Sequence, residues 1–132
     1  MKLIGALITS LALSACNAQG DRTAVDYSQI EVPAYRLASD EARARGRALF
    51  QAKCALCHGA RADGHGVRRQ GLSGSPANFQ SNDWRANATP EAVYRVLSEG
   101  ARGTSMPAWP TLSDAEKWDL VAYVLRVSED GP

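Results

Sequence analysis

Apolar residues run from position 3 to position 13, broken only by Gly5, Thr9 and Ser10. Residues 17–39 then lose any sustained periodicity. Asn, Gln, Gly, Asp and Ser dominate their start and Pro33 interrupts their end. From position 40 a helical period sets in. Ala42, Gly46, Leu49, Phe50 and Lys53 recur at i, i+4 and i+7, which predicts a helix starting at Ser39 or Asp40. A second helix is predicted from Thr89 as N-cap and Pro90 at its first position, with Val93, Val96 and Leu97 on one face and a stop at Gly100. A third opens on Ser113-Asp114-Ala115-Glu116, a capping box, and carries Trp118, Val121, Ala122 and Leu125 on one stripe. Residues 120–125 are almost all apolar, so this helix should be well buried. The intervening stretches are rich in Gly, Ser, Asn and Pro, and none reads as a strand. The expected fold is all-α: three main helices joined by long loops.

Length and charge narrow the picture. A chain of 132 residues suits one compact domain. The periodic part, 40–128, is 89 residues with much loop, marginal on a core of its own, so another group is expected to complete it. Residues 129–132 read as a tail. Fifteen basic side chains against fourteen acidic ones give no reason to expect nucleic acid as a partner. Arg43, Arg45 and Arg47 read as a solvated helix face.

The N-terminal apolar run follows Met1-Lys2 and is too short to span a bilayer as a stable helix, but it suits the core of a secretory signal. It ends in Leu13-Ser14-Ala15-Cys16. This resembles the lipobox of bacterial lipoproteins. The resemblance implies a signal peptide over 1–15 and an acylated, membrane-anchored mature N-terminus at Cys16, on the periplasmic face of the cell envelope. Asn17 stands where an inner-membrane retention signal would carry Asp, which points to the outer membrane. Residues 16–39 are then expected as lipidated N-terminus and tether, about 20 flexible residues reaching roughly 25 Å. Tyr27, Ile30, Val32, Tyr35 and Leu37 leave open that its later part packs on the domain. Removing 1–15 leaves basic and acidic side chains in balance and Met106 as the only methionine.

Cys54-Ala55-Leu56-Cys57-His58 is C-x-x-C-H, the attachment signature for c-type haem. Two thiols three positions apart can add across the two vinyl groups of one porphyrin edge, and the adjacent imidazole can then ligate the iron. The flat apolar ring would be the missing core. A redox dithiol, a structural disulfide and half a zinc site are the alternatives. The dithiol motif wants a strand before it, whereas a helix precedes this one. Zinc wants a second ligand pair, and His65 is the only other histidine.

The stretch from Gly46 through Phe50 to Gly59 resembles the G-x-x-x-F-x-x-x-C-x-x-C-H-G segment of class I cytochromes c. Gly103-Thr104-Ser105-Met106-Pro107-Ala108-Trp109 resembles that family's loop for the second axial ligand, and residues 112–114 with 120–124 resemble its final helix. About 90 of the 132 residues are covered. The resemblance implies the small class I cytochrome c fold around one covalent haem c, with the helix glycine crossed closely by an aromatic of the last helix, Tyr123 or Trp118. It further implies that the carbonyl of Pro76 receives the His58 N–H. Trp84, Arg85, Trp109 and Arg102 receive no role.

Met106 is expected as the sixth iron ligand, opposite His58. It lies 48 residues further on, in a Gly- and Pro-rich loop long enough to wrap the ring. His65, seven residues after His58, is too close to reach the far face and reads as an exposed loop histidine. A thioether favours ferrous iron and raises the potential. With both axial positions held by protein there is no open site for substrate, so the expectation is an electron carrier and not an enzyme. It would shuttle single electrons between periplasmic or respiratory redox proteins. The alternative is a haem-bearing subunit of a larger oxidoreductase or oxidase complex.

Overall fold

The computed structural model describes residues 24–130. The expected signal peptide, Cys16 and the first part of the tether lie outside the described residues, so the lipid attachment expected there has no structural description. The regular elements of the described chain are all helical: a 3-10 turn at Tyr27–Gln29 followed by α1 (Ala34–Leu37), α2 (Asp40–Lys53), α3 (Ala55–His58), α4 (Asn82–Asn87), α5 (Pro90–Glu99) and α6 (Asp114–Asp130). The described residues contain no strand.

The three long helices start where their caps place them. The Ser39 hydroxyl accepts from the Ala42 N–H at 3.2 Å, and Asp40 and Glu41 follow in the first turn, where the helix dipole favours acids. Thr89 caps α5 in the same way, with Pro90 next to it, and Gly100 ends the helix at φ 77°. At the head of α6 the capping box is reciprocal. Glu116 Oε2 accepts from the Ser113 N–H at 2.8 Å, and the Ser113 hydroxyl accepts from the Glu116 N–H at 3.3 Å. The single turns α1, α3 and α4 escape periodicity because four to six residues are too few to show it.

α2 and α6 cross at Gly46, which is buried. A Cβ there would collide with the Asp119 carbonyl and lie 2.9 Å from the Tyr123 Cβ. The close aromatic is therefore Tyr123, whose ring also meets Phe50 at 5.2 Å, while Trp118 turns away and stacks on Tyr94 at 4.4 Å. Phe50, Leu97, Leu112, Leu120, Val121 and Val124 form the buried core beside this crossing.

The described part of the stretch expected as tether lies against the domain: Ile30, Val32 and Leu37 pack on the core. Tyr35 does not, remaining 77% exposed. The Asp119 side chain, 4% exposed, ties this segment down. It accepts from Arg36 of α1 at 2.7 Å and from Arg45 of α2 at 2.7 Å. Arg45 is thus an anchoring contact rather than part of a wholly solvated face.

Two outcomes follow. Gly46→Ala should lower thermal stability, because the steric cost of about 1–3 kcal/mol outweighs the gain of about 1 kcal/mol in helix propensity; an unchanged Tm would contradict the crossing. Burial pushes the Asp119 pKa up, but hydrogen bonds from Arg45 and Arg36 outweigh it and hold the carboxyl below its ordinary range. Its contribution is present above the unfolded value near 3.9 and is lost as pH falls through the lower folded value. Asp119→Asn should cost about 2 kcal/mol in chemical unfolding at pH 7. That gap should stay flat down to about pH 5 and narrow below about pH 4.

Candidate functional site

Cys54 is the C-cap of α2, its N–H donating to the Phe50 carbonyl at 2.8 Å, so the helix fixes where the motif begins. The single turn α3 carries the rest. The N–H groups of Cys57 and His58 both donate to the Cys54 carbonyl, at 3.1 and 2.9 Å. Gly59 then leaves the turn at φ 83°, in the left-handed region that favours glycine. Cys54 and Cys57 are not joined to each other in a disulfide. Burial pushes the Cys54 thiol up to about 11, so it stays protonated at neutral pH. That is not the state of a redox thiolate, and it suits a thiol that adds across a vinyl group.

His58 Nδ1 lies 3.1 Å from the Ala77 carbonyl. A carbonyl only accepts, so Nδ1 holds the proton and donates it, which leaves the Nε2 lone pair free. Burial lowers the His58 pKa despite that hydrogen bond and favours the neutral, ligating form. The acceptor expected from sequence was the carbonyl of Pro76. It is instead one residue further on; the Pro76 carbonyl lies close to Gly64, 3.0 Å from where a Cβ there would sit. Phe79 stacks on the imidazole at 4.9 Å and Phe50 meets it at 6.3 Å. Phe79 is held there by its N–H donating to the carbonyl of Ala62, at 2.9 Å, a fully buried alanine with φ 61°.

Cys54, Cys57, His58 and Met106 line one cavity of about 680 Å³. Its wall is largely apolar, with Phe50 from α2, Trp84 from α4, Val93 and Leu97 from α5, and Leu120 and Val124 from α6. Two loops close it and are pinned together. The Ser105 N–H donates to the Ser73 carbonyl and the Ser73 N–H to the Ser105 hydroxyl, both at 2.8 Å. Met106 sits on this paired edge, its N–H donating to the Thr104 hydroxyl at 3.1 Å and its carbonyl accepting from Ala101 at 3.0 Å. His65 is elsewhere: its ring is 63% exposed and lies 2.7 Å from the Asp63 carbonyl.

These residues fit a haem. The volume lies in the range of cofactor cavities, the wall is largely apolar, two thiols stand at one edge, and an imidazole and a thioether reach the same space. An apolar wall of that extent left open to water is unfavourable, so it suits being covered by a flat apolar ring. Among the described residues no group of three or more His, Cys, Asp or Glu could hold a metal ion, which leaves the zinc alternative without ligands. Trp84 and Trp109, given no role from sequence, both line the cavity, as do Leu72, Val93 and Val96. Only the apolar stripe of α5 hinted at this, since a loop tryptophan has no periodicity to betray its direction.

The family model described as cytochrome c oxidase, cbb3-type, subunit III matches residues 41–124. The chain is 35% identical over 101 residues to the cbb3-type cytochrome c oxidase subunit CcoP of Rubrivivax gelatinosus, covering 75% of this chain and 31% of that protein. It therefore spans less than a third of the length of that curated relative. Among solved structures it resembles the Kuenenia stuttgartiensis reducing HAO-like protein complex. The TM-score is 0.63 at 25% identity, over 78% of this chain and 49% of that one. It also resembles cytochrome cL of Methylophaga aminisulfidivorans, with TM-score 0.52 at 25% identity over 67% and 56% of the two chains. The cavity, its thiol edge and these likenesses agree: this chain belongs to the cbb3-type cytochrome c oxidase subunit III family, as a class I c-type cytochrome domain with one haem c bound covalently through Cys54 and Cys57.

Proposed function

We propose that this chain is the haem-bearing electron-transfer subunit of a larger oxidase-type complex, with His58 and Met106 as its two axial ligands. The observation that carries the ligand set is the convergence of both side chains, with the two thiols, on one apolar cavity. The subunit role, favoured over the free shuttle, rests on the relative's name as an oxidase subunit. Haem c supplies a one-electron couple. The residues around it do the rest. His58 is oriented by Ala77 and presents Nε2. Phe50, Phe79 and Trp84 pack edge to face beside the imidazole and keep water out, Phe79 meeting Trp84 at 4.9 Å. The paired loops fix Met106, so little needs to move when the charge of the site changes.

The chain itself is read as no enzyme: with both axial positions filled, substrate has no open coordination site. We further propose that it is tethered at the periplasmic face of a membrane through a lipid on Cys16. No helix among the described residues is long and apolar enough to cross a membrane.

Met106→Ala should lower the reduction potential and let the ferrous protein bind carbon monoxide at neutral pH. A variant with unchanged potential and no carbon monoxide binding would remove Met106 from the ligand set. Cys16→Ala should move the protein from the membrane fraction to the soluble periplasm, and retention would count against the lipid. Solubilised in mild detergent, the wild type should migrate as a large assembly with oxidase activity. Migration as a lone small cytochrome would favour the shuttle.

A further inference from the structure

Gly100 does more than end α5. Its φ is 77° and its ψ −179°, a combination open to glycine and closed to residues with a Cβ. The chain that leaves the helix there returns to it six residues later, at Met106. A Cβ at Gly100 would stand 2.8 Å from the Met106 carbonyl oxygen, 2.9 Å from the Ala108 nitrogen and 3.0 Å from the Pro107 carbonyl carbon. All three are backbone atoms, so none can swing aside as the end of a side chain could. Gly103 has nearly the same φ, 76°, yet a Cβ there would meet nothing within 4 Å. The close approach is therefore particular to Gly100.

Hydrogen bonds tie the same segment to the helix end. The last carbonyls of an α-helix have no partner within it. The Leu97 carbonyl is taken by the Trp109 N–H at 2.9 Å. The Ala101 N–H, the first beyond Gly100, donates to the Met106 carbonyl at 3.0 Å. Residues 101–106 are thereby closed into a loop. Thr104 braces it from within, its N–H and its hydroxyl both donating to the Ala101 carbonyl, at 3.1 and 2.7 Å. Residues 106–109 thus lie on the C-terminal end of α5, with Gly100 beneath them. α5 is also a wall of the haem cavity, through Val93, Val96 and Leu97. The contact at Gly100 sets how closely the Met106 backbone approaches that wall.

We propose that Gly100 is a positioning residue for the sixth iron ligand: by placing no atom between α5 and residues 106–108, it seats Met106 on the helix end and keeps its thioether at the cavity. This rests on the reading of Met106 as an axial ligand. A thioether carries no charge and is a weak hydrogen-bond acceptor, so its place is set by the backbone that bears it. A Cβ at 100 would push residues 106–108 off the helix end, or rotate residue 100 out of its glycine-only conformation. Both displace the ligand.

The test titrates the full-length, haem-loaded ferric chain with imidazole, which takes the coordination place that a displaced Met106 leaves. Loss of the far-red methionine–iron band reads the exchange. Gly100→Ala should raise the apparent imidazole affinity about tenfold, because that affinity scales with the fraction of molecules whose Met106 is off the iron. Gly71→Ala adds a Cβ at a similar φ of 79° with nothing within 4 Å, and should leave the affinity within about twofold of wild type. A Gly100→Ala chain with lowered Tm and wild-type imidazole affinity would make Gly100 a helix stop alone and overturn the proposal. An equal rise in both variants would assign the effect to backbone strain anywhere in the chain and overturn it also. If Gly100→Ala does not mature, hydrogen exchange of the reduced wild type decides. The Ala101 and Trp109 amides should exchange together with the last turn of α5. Exchange much faster than that turn would show that the segment is not held on the helix, against the proposal. Failure of the ligand reading itself is seen separately, as a wild type without the far-red band before any imidazole is added.

Discussion

The arrangement depends on one close approach, the crossing of α2 over α6 at Gly46. The α6 backbone at Asp119 occupies the space that any side chain at 46 would need. That contact fixes the direction of α2, and Cys54 is the C-cap of α2, so the position of both thiols follows from it. It also sets α6 so that Leu120 and Val124 face the cavity while Val121 is wholly buried. Asp119 adds a polar clasp at the same level, reaching Arg45 on α2 and Arg36 on the incoming segment. A shift of one helix would therefore disturb the thiol edge, the apolar wall and the docking of residues 24–39 together.

The second constraint is chemical. Burial favours the uncharged state at two groups of the cavity, Cys54 and His58. Burial holds the Cys54 thiol protonated and depresses the His58 imidazole, and the Ala77 carbonyl then decides which nitrogen keeps its proton. Such a site favours electron transfer for a physical reason. Rigid side chains on rigid elements, in a dry wall, leave little to rearrange when one charge arrives or leaves.

Much of this was legible before any coordinates. Capping chemistry at Ser39, Thr89 and Ser113 located the long helices, because a cap is a local interaction that needs no tertiary contact. The C-x-x-C-H spacing named the cofactor for the same reason. What stayed hidden depends on contacts distant in sequence. The single turn α1 has no side-chain cap and is held by what it packs on, and α4, though capped by Ser81, is too short to show a period. The acceptor for His58 is Ala77 rather than Pro76, a difference in loop register that one sequence does not reveal. The choice of Tyr123 over Trp118 at the crossing needed the helix rotation. Arg45 looked like one of a solvated row until Asp119 came to it.

The most direct test of the central claim is an optical spectrum of the protein matured in a haem-attaching periplasm, recorded oxidised and then reduced. The account predicts sharp c-type bands on reduction that survive acid-acetone extraction, with the weak far-red methionine–iron band in the oxidised form. Bands without the far-red feature would contradict His58–Met106 ligation, and a chain with no covalent haem would contradict the account as a whole.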